Sequence, residues 1–225
     1  MTGEVFINPS ILNANFEDLE NEIVKISAVS DALHLDVMDN LFVPNFTFDI
    51  AKAFEIISYT KLPVDAHLMI LDPDTIAPKY AEHGTHSVTF HFEAAKNTAS
   101  TIRNIRSNGA KVGLAIKPAT SFEQIENFIE EIDMLLIMTV EPGFGGQSFM
   151  QDQMEKVRIA RSRIEKTSKH RPLLQVDGGV SLETIGKAAT AGANCFVAGS
   201  AVYKSDDPAG MVEKLRAIAS ENFKF

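Results

Sequence analysis

The chain is poor in the residues that would place it outside a cell or on a polyanion. It has a single cysteine, Cys195, in 225 residues. No disulfide can form within it, and nothing points to an oxidising compartment. Cations are the minority: 21 Lys and Arg stand against 30 Asp and Glu, for a formal net charge of −9 and a pI of about 5.2. A surface of that sign is a poor partner for nucleic acid or an anionic membrane. Backbone N–H groups can still hold a phosphate locally. No apolar run approaches the roughly 18 residues of a membrane span. The opening MTGEVFINPS lacks the basic segment and the apolar stretch of a signal peptide. No linker, low-complexity segment or charge block divides the chain. The expectation is one cytoplasmic domain over residues 1–225.

What is present is a strong alternation. Hydrophobic residues make up 45%, enough for a full core. Short β-like runs start at about Phe6, Ala32, Pro63, Ser87, Lys111, Met134, Pro172 and Cys195. Between them lie amphipathic stretches with helical spacing, from Phe16 (with Asn15 as cap), Asp49, Asp72, Thr98, Ser121, Met150, Leu182 and Pro208. Near-continuously apolar strands alternating with helices imply a parallel sheet covered by helices. Eight such units predict an α/β fold, a single (β/α)8 TIM barrel, a little under the typical size of about 250 residues. An open doubly wound sheet is the rival, weakened by the lack of G-x-G-x-x-G after the first strand.

In such a barrel the chemistry sits where the strands end, so polar residues late in strands are informative. In LHLDVMDNLFVP, His34, Asp36 and Met38 alternate and share one face. The third strand adds His67, with Asp65 and Met69 on its face. The seventh adds Asp177, with Gln175 on its face, and the first adds Ser10. His34, Asp36, His67 and Asp177 form a candidate divalent-metal site. Imidazole plus carboxylate suits Zn, Fe, Mn or Co better than Mg or Ca. Met38, Met69 and Met138 could be ordinary core fillers. Their shared parity at strand ends reads more sharply as a soft apolar lining that excludes water without adding charge.

Three glycine-bearing loops in the last three units read as phosphate cradles: Gly143-Phe144-Gly145-Gly146, Gly178-Gly179 and Gly199-Ser200. Simple turn chemistry is the plainer reading of each alone. His91 and Glu93 share a face on the fourth strand and read as residues that back the ligands or form the wall, rather than as ligands themselves. Lys117 reads as a substrate or oligomer contact or a solvated lysine, Cys195 as structural, His83 and His86 as solvent-facing, and His170 as lying at the far end of the barrel.

The segments PSILNANF, HLDVMDNLFVPNFTF, VDAHLMI, MTVEPGFGGQSF, LQVDGGVS and VAGSAVY together resemble the ribulose-phosphate 3-epimerases, over Asn8 to about Tyr203. EPGFGGQ and H-x-D-x-M-D carry the specificity. The resemblance implies a ribulose-phosphate-binding barrel and an isomerase of carbohydrate metabolism, in the pentose phosphate pathway. It implies one divalent ion per subunit on His34, Asp36, His67 and Asp177, with Asp36 and Asp177 as the acid/base pair. It implies sugar-phosphate contacts from Ser10, His67, Gly143 to Gly146, Asp177 to Gly179, Gly199 and Ser200. Met38, Met69 and Met138 would line the reacting centre. It also implies a homo-oligomer. Asn40-Leu41, Asn13, Asn15 and Lys117 depart from the commonest pattern and bear on substrate preference. A 3-epimerase of another ketose phosphate, such as D-allulose 6-phosphate, would share these motifs. A catalytically silent phosphosugar-binding barrel would not need two opposed carboxylates.

Overall fold

The computed structural model describes residues 4–167 and 169–225. The first three residues of the opening stretch, and Ser168 inside the expected 150–169 helix, lie outside the described residues. Eight parallel strands form one sheet: β1 (Phe6–Pro9), β2 (Leu33–Met38), β3 (Val64–Met69), β4 (Ser87–His91), β5 (Lys111–Ile116), β6 (Met134–Met138), β7 (Leu173–Asp177) and β8 (Cys195–Ala198). The pairing runs β1-β8-β7-β6-β5-β4-β3-β2. A parallel bridge from Ser10 to His34 joins the end of β1 to β2. The result is the expected (β/α)8 barrel.

The helices are α1 (Leu19–Ile26), α2 (Ile50–Ser58), α3 (Pro73–Glu82), α4 (Thr98–Ser107), α5 (Gln153–Thr167), α6 (Ile185–Ala191), α7 (Ser200–Tyr203) and α8 (Pro208–Asn222). Several begin on capping signals in the sequence. Asp49 accepts from Lys52 N–H, Asn97 from Ser100 N–H and Asp207 from Gly210 N–H. Pro73 and Pro208 occupy first-turn positions that need no N–H.

Four local expectations are corrected. The fifth unit has no α-helix after Ser121 but two 3-10 turns, Phe122–Gln124 and Glu126–Phe128. Ser121 makes no side-chain cap bond. Phe122, Ile125 and Phe128 recur every three residues, a spacing that a three-residue turn aligns as well as an α-helix does. Asn15 does not cap α1. Its side chain accepts from Glu17 N–H in a local turn, and the helix starts at Leu19. α6 starts at Ile185 rather than Leu182, because Thr184 Oγ1 ties back to Ser181 N–H and Gly179 C=O. Finally, β8 stops at Ala198. Gly199 turns the chain and Ser200 opens the single turn α7.

The outward faces of the strands carry the apolar core. Leu35, Val37, Leu68, Phe90, Leu114, Leu135, Val176 and Phe196 pack in one cluster with helix residues such as Ile23, Ile56, Tyr80, Ile102, Val157 and Leu215. Each buried aliphatic or aromatic side chain contributes about 1.5–3 kcal/mol relative to exposure. The inward faces differ. Two small apolar groups, one with Met38, Val43 and Met69 and one with Ala115, Leu136, Met138 and Val140, lie there. So do buried His34, Asp36, Asp65, His67, Ser87, Thr89, His91 and Gln175.

Candidate active site

Register brings the polar residues together. In β2 and β3, His34 lies opposite Asp65, Asp36 opposite His67, and Met38 opposite Met69. Across the barrel, Met138 of β6 lies opposite Asp177 of β7. Inward parity does the rest. His34, Asp36, His67 and Asp177 each offer one ligand-type atom, and these atoms all lie within 4.8 Å of one another.

The separations bear on what could sit among them. His34 Nε2 is 3.4 Å from His67 Nδ1 and 3.5 Å from Asp36 Oδ1. His67 Nδ1 is 3.2 Å from Asp36 Oδ1 and 3.7 Å from Asp177 Oδ2. Bonds of about 2.0–2.1 Å to a tetrahedral ion give ligand–ligand edges of about 3.3–3.4 Å. The His34, Asp36 and His67 atoms are already spaced for an ion, Asp177 stands slightly farther off at 3.7 Å from His67, and two imidazole nitrogens facing two carboxylates make a suitable donor set.

Each of these groups is braced from behind. Asp36 Oδ2 accepts from Ser10 Oγ at 2.5 Å. His34 Nδ1 is 3.0 Å from Asp65 Oδ2. Asp65 also accepts from Ser87 Oγ, Thr89 Oγ1 and Gln175 Nε2. His67 Nε2 is 2.9 Å from His91 Nε2. Thr139 Oγ1 donates toward the carbonyls of Asp177 and Gly178, fixing the end of β7.

Burial opposes charge on all of these groups, and specific neighbours decide the outcome. At His34, the carboxylates of Asp36 and Asp65 outweigh burial and hold the imidazole well above its ordinary range. At Asp36, His34 and His67 outweigh it and hold the carboxyl well below the usual range. At Asp177, burial is reinforced by the Asp36 charge, and the carboxyl is pushed up to about 6. Two carboxyls pushed apart in this way suit opposite roles in proton transfer.

A cleft of about 500 Å³, including its open mouth, lies above the cluster. Ser10, Asp36, Met38, Met69, Met138 and Asp177 line its inner part; Gly143 to Gly146, Gly178, Gly179, Gly199 and Ser200 line its outer part. The three methionines are buried. Phe144 lines the cleft as well and is 53% exposed, at its rim. His34 and His67 do not line the cleft and are fully buried. Gly145, Gly178, Gly179 and Gly199 leave little room for a side chain, whereas a Cβ at Gly146 would meet nothing within 4 Å. Gly179 has φ +67°, and a Cβ there would lie 2.5 Å from Phe149 N. A Cβ at Gly145 or at Gly199 would lie 2.7 Å from Asn13 Oδ1. Gln147 Nε2 donates to Glu141 C=O and Phe144 C=O, and Asn45 Nδ2 to Gly143 C=O, which fixes the loop after β6.

A sequence pattern for the Ribulose-phosphate 3 epimerase family matches residues 6–203. The chain belongs to the ribulose-phosphate 3-epimerase family. It is 46% identical over 218 residues to the ribulose-phosphate 3-epimerase of Mycobacterium tuberculosis, covering 97% of this chain and 94% of that one. It is 40% identical over 217 residues to the enzyme of that name from Escherichia coli K12, covering 95% and 96%. Among solved structures it is similar to KGPDC from Streptococcus mutans, with a TM-score of 0.70, 14% identity and coverage of 99% and 100%. It is also similar to 3-hexulose-6-phosphate synthase from Salmonella typhimurium, with a TM-score of 0.69, 18% identity and coverage of 96% and 99%. These two share the barrel fold with the epimerase family.

Sequence reading gave Asn13, between two phosphate-type loops, only a bearing on substrate preference, and passed over two contributors to the site: Thr139 beneath Asp177 and the Ser87–Thr89 pair behind Asp65. The last pair had a signal. Ser87, Thr89 and His91 alternate along β4 with the parity of an inward face. His83 and His86 are exposed, as expected, His170 is exposed too, and Cys195 is buried. No helix among the described residues is long and apolar enough to cross a membrane.

Proposed function

We propose that the chain catalyses the reversible epimerisation at C3 of D-ribulose 5-phosphate to D-xylulose 5-phosphate. The observation that carries this is the pairing of Asp36 and Asp177 at the floor of a cleft whose outer wall is three glycine loops, in a chain of this family. The C3 proton is acidified by the neighbouring C2 carbonyl. One aspartate removes it from one side, and the other delivers a proton to the opposite side, so the stereocentre inverts. The roles exchange in the reverse direction. Ser10 orients Asp36 through its hydroxyl. Met38, Met69 and Met138 keep water from the planar intermediate. Gly143 to Gly146, Gly178, Gly179, Gly199 and Ser200 hold the phosphate through backbone N–H groups, and so fix C3 between the two carboxylates.

His34, Asp36, His67 and Asp177 would hold one divalent ion per subunit: Zn, Fe, Mn or Co. When bound, that ion supplies Lewis-acid stabilisation of the negative charge that develops on the substrate oxygens. The further reading is of a single cytoplasmic domain working as a homo-oligomer. D-Allulose 6-phosphate and a catalytically silent barrel are the less favoured readings, since the relatives named above are ribulose-phosphate 3-epimerases.

The test is a coupled assay on D-ribulose 5-phosphate and D-allulose 6-phosphate side by side in deuterated solvent, with metal analysis of the purified protein. The expected result is turnover of the pentose phosphate with one solvent deuteron entering at C3. Activity should fall on chelation and return with one of the four metals. Turnover without solvent exchange at C3 contradicts the two-carboxylate scheme.

A further inference from the structure

We infer that Glu93, acting through His91, is a positioning residue that makes His67 present its Nδ1 lone pair to the cluster. This rests on the metal reading above and goes beyond it.

His91 ends β4 and is fully buried. Its Nε2 faces His67 Nε2 at 2.9 Å. A hydrogen bond between two ring nitrogens has room for one proton, so one ring must donate and the other accept. Which does so is decided at the other end of His91, where Nδ1 lies 3.3 Å from Glu93 Oε2. The other oxygen of that carboxylate accepts from Lys117 N–H at 2.7 Å and from the Thr120 hydroxyl. An ionised carboxylate only accepts. His91 therefore carries its proton on Nδ1, and as a buried neutral ring it offers a lone pair at Nε2. With a cation in the cluster His67 is neutral and must then donate from Nε2, which leaves for the cation the lone pair of Nδ1. That atom is the one 3.2 Å from Asp36 Oδ1 and 3.4 Å from His34 Nε2. The reverse order would put a proton on His67 Nδ1, inside the cluster, where a cation needs a ligand.

The second histidine is set in one step. Asp65 accepts from His34 Nδ1, so Nε2 is the nitrogen that gives up its proton when a cation enters the cluster. The two imidazoles thus face the same point with different ring nitrogens, and each is keyed by a carboxylate on its far side. Partners of this kind fix both tautomer and ring orientation. Glu93 differs from Asp65 in acting across an intervening imidazole, and its anchors, Lys117 N–H and Thr120, lie beyond the end of β5.

The discriminating substitution is Glu93→Gln. The Lys117 N–H still requires an acceptor, so the amide oxygen stays there and the amide N–H turns toward His91 Nδ1. The proton order along the chain then reverses. Metal-stripped wild type and E93Q are titrated with Zn(II) against a chromophoric chelator. Zn(II) affinity should fall by about 10–100-fold, while the thermal midpoint of the metal-free protein stays within a few degrees. Independently, long-range ¹⁵N–¹H spectra of Zn(II)-loaded wild type should show His67 bound through Nδ1 with its proton on Nε2. Unchanged Zn(II) affinity in E93Q overturns the inference and leaves the metal reading standing. So does a wild-type spectrum with the His67 proton on Nδ1, which decides the matter even if E93Q fails to fold. A wild type with no specific Zn(II) site overturns both.

Discussion

Along β2, Leu33, Leu35 and Val37 point out into the helix layer, while His34, Asp36 and Met38 point into the barrel. All six are buried. The same alternation runs around the sheet: Leu68 beside His67, Phe90 beside His91, and Val176 beside Asp177, the last half-buried where it meets the cleft. Below the cleft the two faces are both dry but made of different material. Outside, apolar area is removed from water and the gain is non-directional. Inside, each polar atom must be answered by another, because an unanswered one costs about 1–3 kcal/mol. The barrel therefore has a stabilising shell and an interior whose groups are ordered by hydrogen bonding. Substitutions on the two faces should fail in different currencies, turnover inside and stability outside.

The largest effect should come from inside. Asp177→Asn keeps shape and removes the ability to take or give a proton. Turnover of D-ribulose 5-phosphate should fall on the order of 10²–10⁴-fold, the range of a lost general acid or base. The melting temperature should hold or rise, because burial and the nearby Asp36 already disfavour the Asp177 charge. Steady-state kinetics with a thermal melt on the same sample checks both halves. Near-normal turnover would remove Asp177 from the chemistry. A collapse of the melt would mean that the interior also carries the fold.

Leu35→Ala is the mirror experiment, made between His34 and Asp36 on the outward face. It should cost about 2–5 kcal/mol, the range for a buried leucine left as a cavity. Urea unfolding should show this as a shifted midpoint with an unchanged slope. The kcat of the folded fraction should stay within a few-fold of wild type. A loss of kcat rivalling that of Asp177→Asn would show that the shell sets the position of the strand ends more tightly than the comparison allows.

How much of this could be read from sequence follows from the same two faces. Alternation along β2 and β3 exposed His34, Asp36 and His67 because inward polarity breaks an otherwise apolar run. The glycine loops were visible because glycine density is local. The bracing was not visible. That His34 faces Asp65 and Asp36 faces His67 depends on register between strands about 30 residues apart, and no local pattern encodes register. The His67–His91 contact is of the same kind. The missing fifth helix failed for the opposite reason: the local pattern was present but fits two helix types. Asn13 stands out in the sequence only as a departure from the common pattern, because the neighbours that give it a place, Gly145 and Gly199, come from distant loops.

A smaller effect tests how full the interior is. Gly113 of β5 faces Thr89, and a Cβ there would lie 2.0 Å from Thr89 Oγ1. That hydroxyl is one of the donors holding Asp65. Gly113→Ala should cost about 1–3 kcal/mol, as overpacking does, read by urea unfolding. A neutral result would mean that the polar interior yields more readily than the apolar shell.

The smallest effect sharpens the contrast between carboxylates inside the barrel and carboxylates in the shell. Asp74, in the first turn of α3, accepts from Lys96 N–H, Asn97 N–H and Thr101 Oγ1, and so ties α3 to the start of α4. Burial opposes its charge, but these hydrogen bonds outweigh it and hold its carboxyl below the ordinary value. A carboxyl depressed in the folded state binds fewer protons there than in the unfolded chain. Its stabilisation is therefore present in full above the unfolded value, about 3.9, and is lost as pH falls through the folded one. Asp74→Asn should lower stability at pH 7, and the gap to wild type should close as the pH is lowered below 4. Turnover at pH 7 should be untouched, the reverse of the outcome for Asp177→Asn. Paired urea titrations at several pH values measure the gap. A gap that stays constant with pH would show that Asp74 acts through its shape rather than its charge.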